Sequence, residues 1–360
     1  MTNPTVDIIN SKAAGRVCWE SPANIALIKY WGKLHEQIPM NPSISFVLRD
    51  SVVKICLDYD IDPGRSFGLN SFQLNGTENE VFSKRIESYL KRLQSLFPFL
   101  KHTRLRIESH STFPHSAGIA SSAAAFSALA LCICSVESKL QGGIHDEKFY
   151  SKASFMARLG SGSACRSLYS GMVLWGASDK IPYSSDEYAI RLDDARIHPL
   201  FMTLKDAVLI ADDSKKEVSS SQGHALMEHH PYRQERIMQS RSNLSKLLLA
   251  MAGGNTSLFA EVVENEALSL HGLMMSSNPP YILMKPSTIS MMEKIRLFRK
   301  ENETDICFTL DAGPNIHLLY FEKDAAIVTR FIREELAPLC RNGRWINDAM
   351  GDGPKCLISE

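Results

Sequence analysis

Hydrophobic positions fall into two rhythms along this chain. Val53, Ile55, Leu57 and Tyr59 occupy every second position, the spacing of a strand with one buried face. Phe72 and Leu74 continue that rhythm up to Asn75-Gly76, a dipeptide suited to a tight hairpin turn. Thr77 and Glu80 then stand at capping-box spacing. Behind them Val81, Ile86, Leu90, Leu93 and Phe97 recur at helical intervals. Leu105 and Ile107 predict another short strand. Helices are predicted over 121–140 and 147–159, followed by a Gly/Ser run and a further short helix. Met172–Trp175 and 207–211 read as strands. The stretch 212–230 is polar, with Lys215-Lys216 and a run of serines, and reads as loop. A long helix follows over 232–251, then further helices. Two strands, 306–310 and 316–321, flank the turn Asp311-Ala312-Gly313-Pro314-Asn315. Residues 1 to about 14 read as a loose leader. Strands and helices mix without a regular βαβ alternation, which predicts an α+β fold. A chain of 360 residues exceeds what one core usually organises. A break near residue 205 gives two domains, 1–204 and 205–360.

Charge narrows the choice of partner. Lys and Arg total 40, as do Asp and Glu, so neither nucleic acid nor an anionic membrane is expected as the main partner. The apolar stretch from Ala117 to Cys134 is interrupted by serines, which fits a buried helix better than a membrane span. No apolar segment with a cleavage site is seen near the N-terminus, so no secretion signal is expected. The eight cysteines contain no C-x-x-C pair. A disulfide or zinc framework is therefore not expected, and reduced cytosolic thiols are.

Four segments carry candidate chemistry. Pro114-His115-Ser116-Ala117-Gly118 leads into Ser121-Ser122 at a helix start. Backbone N–H groups, hydroxyls and the helix dipole there suit phosphate oxygens, although a serine cap before an Ala-rich helix reads the same way. No G-x-x-x-x-G-K-[ST] is present, which excludes a Walker-type loop. Gly160-Ser161-Gly162-Ser163-Ala164-Cys165-Arg166 offers close backbone approach, two hydroxyls and a planar guanidinium, or else a flexible turn. Cys165 reads as a packing residue rather than a nucleophile, because no partner histidine is identifiable. Asn24-Ile25-Ala26-Leu27-Ile28 runs into Lys29-Tyr30-Trp31-Gly32-Lys33, a plausible anion site or a strand end with solvated lysines. Asp311 stands alone between two apolar strands. Such an aspartate is capped, paired or functional, and turn initiation is its ordinary task.

Taken together and in this order, the runs 21–33, 113–123, 160–168 and 311–315 resemble those of the diphosphomevalonate decarboxylases, a branch of the GHMP small-molecule kinase superfamily. The resemblance extends from about Ser21 to Tyr320. It implies a two-domain fold: an N-terminal ATP-binding domain of the ribosomal-protein-S5 type, a ferredoxin-like C-terminal domain, and an active site in the cleft between them. It implies ATP and Mg²⁺ at Pro114, Ser116, Gly118, Ser121 and Ser122, with the metal held through the ATP phosphates. It places substrate phosphates at Tyr30, Lys33, Ser161, Gly162 and Ser163, and the substrate carboxylate at Arg166. Asp311 and Lys29 become the catalytic pair. The expected protein is a cytoplasmic enzyme acting on small molecules, a homodimer as relatives often are.

Three segments depart from the family pattern. Ser111-Thr112-Phe113-Pro114-His115-Ser116-Ala117-Gly118 replaces an Asn-Asn-Phe-Pro-Thr-Ala-Ala-Gly run, and Asn41-Pro42-Ser43-Ile44-Ser45 an Asn-Ser-Ser-[LI]-Ser run. Gly223-His224-Ala225-Leu226-Met227-Glu228-His229-His230 replaces a Gly-Met-x-Leu-Thr region, and no arginine contact carries over there. A polar pocket rim explains its histidines better than a metal does. These changes leave a phosphomevalonate decarboxylase or a mevalonate 3-kinase open beside the diphosphate enzyme.

Overall fold

The alternating stretch around Val53 is the middle of a 19-residue strand, and its neighbour in the sheet starts already at Ala13. The computed structural model describes residues 12–114, 119, 121–214 and 218–359. The chain begins with β1 (Ala13–Ile28), β2 (Ser43–Ile61), β3 (Gly68–Leu74), β4 (Thr77–Glu78), α1 (Glu80–Leu93) and β5 (Thr103–Ser111). Helices α2 (Ser121–Gln141) and α3 (Glu147–Gly160) follow, then a 3-10 segment at Gly162–Leu168 and strands β6 (Met172–Trp175) and β7 (Ala189–Arg191). Next come β8 (Leu204–Leu209), α4 (Ser220–Leu226), α5 (Arg233–Gly253), α6 (Thr256–Met275) and α7 (Pro286–Asn302). The chain finishes with β9 (Cys307–Leu310), β10 (Ile316–Phe321), α8 (Ala325–Phe331), β11 (Trp345–Ala349) and β12 (Lys355–Ser359).

Two sheets organise these elements, as an α+β fold requires. The first has the order β12-β1-β2-β5-β3-β4, with β6 paired to the start of β2 and β7 to β6. Its pairings are antiparallel except β3 with β5. The second is antiparallel, in the order β11-β8-β10-β9. The alternation of β1 and β2 turns Val17, Trp19, Ile55 and Leu57 into one core with Phe126, Leu129 and Ile133 of α2. Burying each such side chain contributes about 1.5–3 kcal/mol. By length and composition α2 could cross a membrane, yet 72% of its most apolar stretch is buried inside the protein. Ala123, Ala124, Ala128 and Ala130 are fully buried on it. The last strand, β12, returns to the first sheet and pairs with β1.

Four expectations are corrected. Cys18 and Cys56 form a disulfide, because β1 and β2 place them directly opposite, with Cα atoms 4.1 Å apart. Their sequence separation of 38 residues gives no sign of that register. Thr77 does not cap α1. Asn75 and Gly76 both take positive φ (50° and 79°), so the chain reverses there and Thr77 pairs with Leu74 in a hairpin. Asn79 is the cap instead, accepting from the Phe82 N–H at 3.1 Å. The polar stretch 212–230 contains α4, started by a Ser219/Gln222 capping box. Finally, residues 13 and 14 belong to β1 rather than to a leader.

Candidate active site

The C-terminal end of β1 and the strap after it supply the floor of a cavity of about 450 Å³. Its wall includes Asn24, Lys29, Tyr30, Lys33, Arg85, Ser121, Ser122, Ser161, Gly162, Ser163, Arg166, His224 and Asp311. Four of these groups, Lys29, Lys33, Arg85 and Arg166, are cationic. Asp311 is the one carboxylate among the described residues that line it. A chain of zero net charge thus builds a basic pocket, which suits a polyanionic ligand. A second cavity, of about 610 Å³, lies beside α6, α7 and β9 and shares no lining residue with the first. Its arginines, Arg296 and Arg299, are both paired with Glu264, so it offers no comparable charge to a ligand.

Lys29 lies at the centre of the floor. Its side chain is 2% exposed, and Nζ donates to Asp311 Oδ1 at 2.9 Å and to the Ala26 carbonyl at 2.7 Å. Asp311 follows β9, and its carbonyl accepts from His271 Nε2 at 3.1 Å. Its carboxylate is therefore aimed by a buried cation and by a fixed backbone. The backbone of Lys29 is held from the other side. Glu266 on α6 accepts from its N–H at 2.8 Å, and Arg236 on α5 donates to its carbonyl at 3.1 Å. Arg236 and Glu266 are themselves a fully buried bidentate pair, and Asn243 donates to Glu266 at 2.8 Å. Burial pulls the Glu266 carboxyl up, but the Arg236 charge and these hydrogen bonds outweigh it and hold it below its ordinary value.

Arg166 is positioned by an amide and two hydroxyls rather than by acids. Nε donates to Asn24 Oδ1 and Ser45 Oγ, and Nη1 to Ser43 Oγ at 2.7 Å. Its charge is thus left for a ligand. Burial lowers its pKa, against the attraction of Cys165 and Asp311. Cys165 is buried, its thiol pushed up to about 12 by burial, and it donates to the Gly162 carbonyl, so it behaves as the packing residue expected. Gly162 has no room for a side chain. A Cβ there would sit 2.8 Å from the Tyr30 hydroxyl and 2.9 Å from the Trp175 ring. The buried Tyr30 hydroxyl has no hydrogen-bond partner among the described residues, and burial raises its pKa. An unpaired buried hydroxyl beside a cavity is costly unless a ligand satisfies it. Lys33 reaches Gln37 at 3.3 Å.

The residues expected to meet phosphate are placed unevenly. Ser121 and Ser122 open α2 and line the cavity, and Ser122 Oγ lies 3.3 Å from Ser161 Oγ. Ser116 and Gly118 lie outside the described residues. Pro114 is exposed and is absent from the cavity wall. Among the described residues no cluster of three His, Cys, Asp or Glu could hold a metal by itself. Reading the sequence missed Arg85, which stacks on Phe126 at 4.8 Å and reaches this wall from α1. It also missed the Arg236–Glu266 pair. Neither carries a local signal: a charge at a helical position reads as a solvated face until the packing is known. The three histidines of the divergent segment part company. His224 lines the cavity, His229 is exposed, and His230 is buried against the Leu273 carbonyl at 3.0 Å.

Known proteins resemble this chain in sequence and fold. Residues 21–189 match the diphosphomevalonate decarboxylase-like N-terminal domain, and residues 207–351 the mevalonate 5-diphosphate decarboxylase C-terminal domain. The diphosphomevalonate decarboxylase of Saccharomyces cerevisiae is 32% identical over 331 residues, 87% of this chain and 79% of that protein. The crystal structure of mevalonate diphosphate decarboxylase from Staphylococcus aureus superposes with a TM-score of 0.80 at 26% identity, covering 97% of this chain and 99% of that one. A solved complex with MVAPP, AMPPCP and magnesium gives the same TM-score, 0.80, at 26% identity, over 96% of this chain and 99% of that one.

Proposed function

Because the chain belongs to the diphosphomevalonate decarboxylase family, we propose that it converts (R)-5-diphosphomevalonate and ATP into isopentenyl diphosphate, ADP, phosphate and CO2, a step of the mevalonate pathway. The observation that carries this reading is the pairing of buried Lys29 with the half-buried Asp311 at 2.9 Å, set in a cavity whose other charged groups are all cationic among the described residues.

The reaction needs a tertiary hydroxyl at C3 turned into a leaving group. Asp311 takes the proton of that hydroxyl as its oxygen attacks the γ-phosphorus of ATP and the bond to ADP breaks. Lys29, tied to Ala26 and held by its own backbone, keeps the carboxylate pointed at the oxygen. Ser121, Ser122 and the α2 N-terminus face the phosphates with donors and a positive dipole end. Mg²⁺, bound with the nucleotide, supplies further neutralisation of phosphate charge. The C3–O bond then breaks and phosphate leaves. The electron pair of the C1–C2 bond forms the alkene as CO2 departs. Positive charge at C3 is stabilised by the Asp311 carboxylate. Arg166 fixes the substrate carboxylate, while Tyr30, Lys33, Ser161, Gly162 and Ser163 receive its phosphates.

The same proposal divides the chain into an N-terminal ATP-binding domain, 1–204, and a C-terminal domain, 205–360, with β12 returning to the first sheet. It includes a homodimer in the cytoplasm acting on small molecules alone, with sedimentation as the check on the dimer. The assay offers ATP with mevalonate, its 5-phosphate or its 5-diphosphate, and follows ADP and CO2. Equal ADP and CO2 from the 5-diphosphate is the expected result. ADP without CO2 makes the protein a kinase, and preference for the 5-phosphate makes it a phosphomevalonate decarboxylase. Asp311→Asn is expected to remove ADP formation, by about 10³-fold or more, with an unchanged circular dichroism spectrum. Near-normal turnover in that variant would remove Asp311 from the mechanism.

A further inference from the structure

His224 is one of the polar groups of the cavity to which the mechanism above gives no task. His224, on α4, lies between the rings of Tyr30 and Trp31, with centroids 4.3 Å and 4.6 Å away. Its Nδ1 accepts from the Gly32 N–H at 2.9 Å. A neutral imidazole that accepts at Nδ1 carries its proton at Nε2, so this bond fixes the tautomer. Burial, together with the charges of Lys33 and Arg166, pushes the pKa down to about 3. These causes favour the neutral ring. Nε2 makes no hydrogen bond among the described residues, and the ring lines the cavity with Lys33 and Ser163. These two ring contacts and this hydrogen bond all come from the strap 30–32, between Lys29 at the reacting end and Lys33.

We propose that His224 is a substrate-recognition residue whose Nε2–H donates to an oxygen of the terminal phosphate of the 5-diphosphate, beside Lys33. The proposal rests on the assignment of this cavity given above. A neutral donor suits that place. It completes the coordination of a phosphate oxygen without adding a further charge to the four cations Lys29, Lys33, Arg85 and Arg166 of the wall. Clamped between two aromatic rings, it is oriented before the ligand arrives.

Two isosteres separate the two ring nitrogens. Asparagine places an acceptor where Nδ1 stands and has nothing at Nε2; glutamine reaches the Nε2 position with an N–H. His224→Asn is expected to raise KM for the 5-diphosphate about tenfold to a hundredfold, the loss of one hydrogen bond to a charged group. Its kcat should stay within about threefold, and KM for the 5-monophosphate should barely move. His224→Gln should recover most of the loss. An unchanged KM in His224→Asn overturns the proposal, as does an equal loss with both phosphates, or a glutamine variant no better than asparagine. If the wild-type protein turns over none of these compounds, the catalytic reading fails while this one is still tested. Calorimetric binding of inorganic diphosphate should then be weaker in His224→Asn than in wild type, and equal binding overturns the donor role.

Discussion

Asp311 takes its meaning from its neighbours. By itself it is an aspartate at a turn; beside the buried ammonium of Lys29 it is an oriented carboxylate in a basic cavity. The residue types and order of Lys29, Tyr30, Lys33, Ser121, Ser122, Ser161, Ser163 and Arg166 were legible in the sequence, and the fold brings all of them to one wall. What the sequence did not show is how each is held. Arg166 is aimed by Asn24, Ser43 and Ser45, which lie more than 120 positions away. Gly162 illustrates a requirement that only contact distances reveal. Its neighbours, Tyr30 and Trp175, are rigid rings packed edge to face at 4.6 Å, so they cannot yield to a methyl group. Gly162→Ala is expected to cost about 1–3 kcal/mol of stability and to raise KM for the phosphorylated substrate. Denaturant titration and steady-state kinetics check the two effects, and wild-type values for both would mean the strap shifts without cost.

At the scale of elements, β1 delivers Lys29, and two helices from far along the chain hold it there. The N–H of Lys29 would be an orphan at a strand end. Glu266 of α6 accepts from it, Arg236 of α5 donates to the Lys29 carbonyl alongside Asn41, and the two charged residues are bonded to each other. This buried pair joins the first sheet to the helices of the second half of the chain. Removing one charge strands the other, so Glu266→Gln is expected to destabilise the protein by about 3–5 kcal/mol at neutral pH. The pH dependence has a definite sign. A carboxyl held below its ordinary 4.5 contributes stability that is present above pH 4.5 and is lost as pH falls through its folded value. The gap between wild type and Glu266→Gln should therefore narrow in acid. Urea midpoints measured from pH 7 down to the acid limit of folding test this, and a gap that widens in acid would contradict the ion pair. The main helices and the strand pattern were readable from periodicity. The turn at Asn75-Gly76 was readable too, but the helix cap was placed at Thr77 instead of Asn79 and α4 was read as loop, because a capping signal and a turn signal compete locally and pairing decides between them.

Across the whole molecule, equal numbers of acids and bases conceal a strongly uneven distribution. Lys29, Lys33, Arg85 and Arg166 converge on one cavity with a single acid among the described residues. Attraction of a polyanion to such a site is local and is screened over a Debye length of about 8 Å at physiological salt. Raising salt from about 0.05 M to 0.5 M should raise KM for the diphosphate severalfold and leave kcat nearly constant. Steady-state kinetics at several salts decide, and a kcat that falls while KM holds would place the charges in the chemical step instead. The sequence by itself determined the α+β class, most helices and strands, and the residue types that resemble a decarboxylase, because hydrophobic period and short motifs are local properties. Only the tertiary structure decided that Cys18 meets Cys56, that Glu266 and Arg236 clamp Lys29, and that His224 presents a neutral donor to the cavity. Those are contacts between segments from 38 to more than 200 residues apart. Their existence depends on strand register and helix packing, which no local pattern encodes.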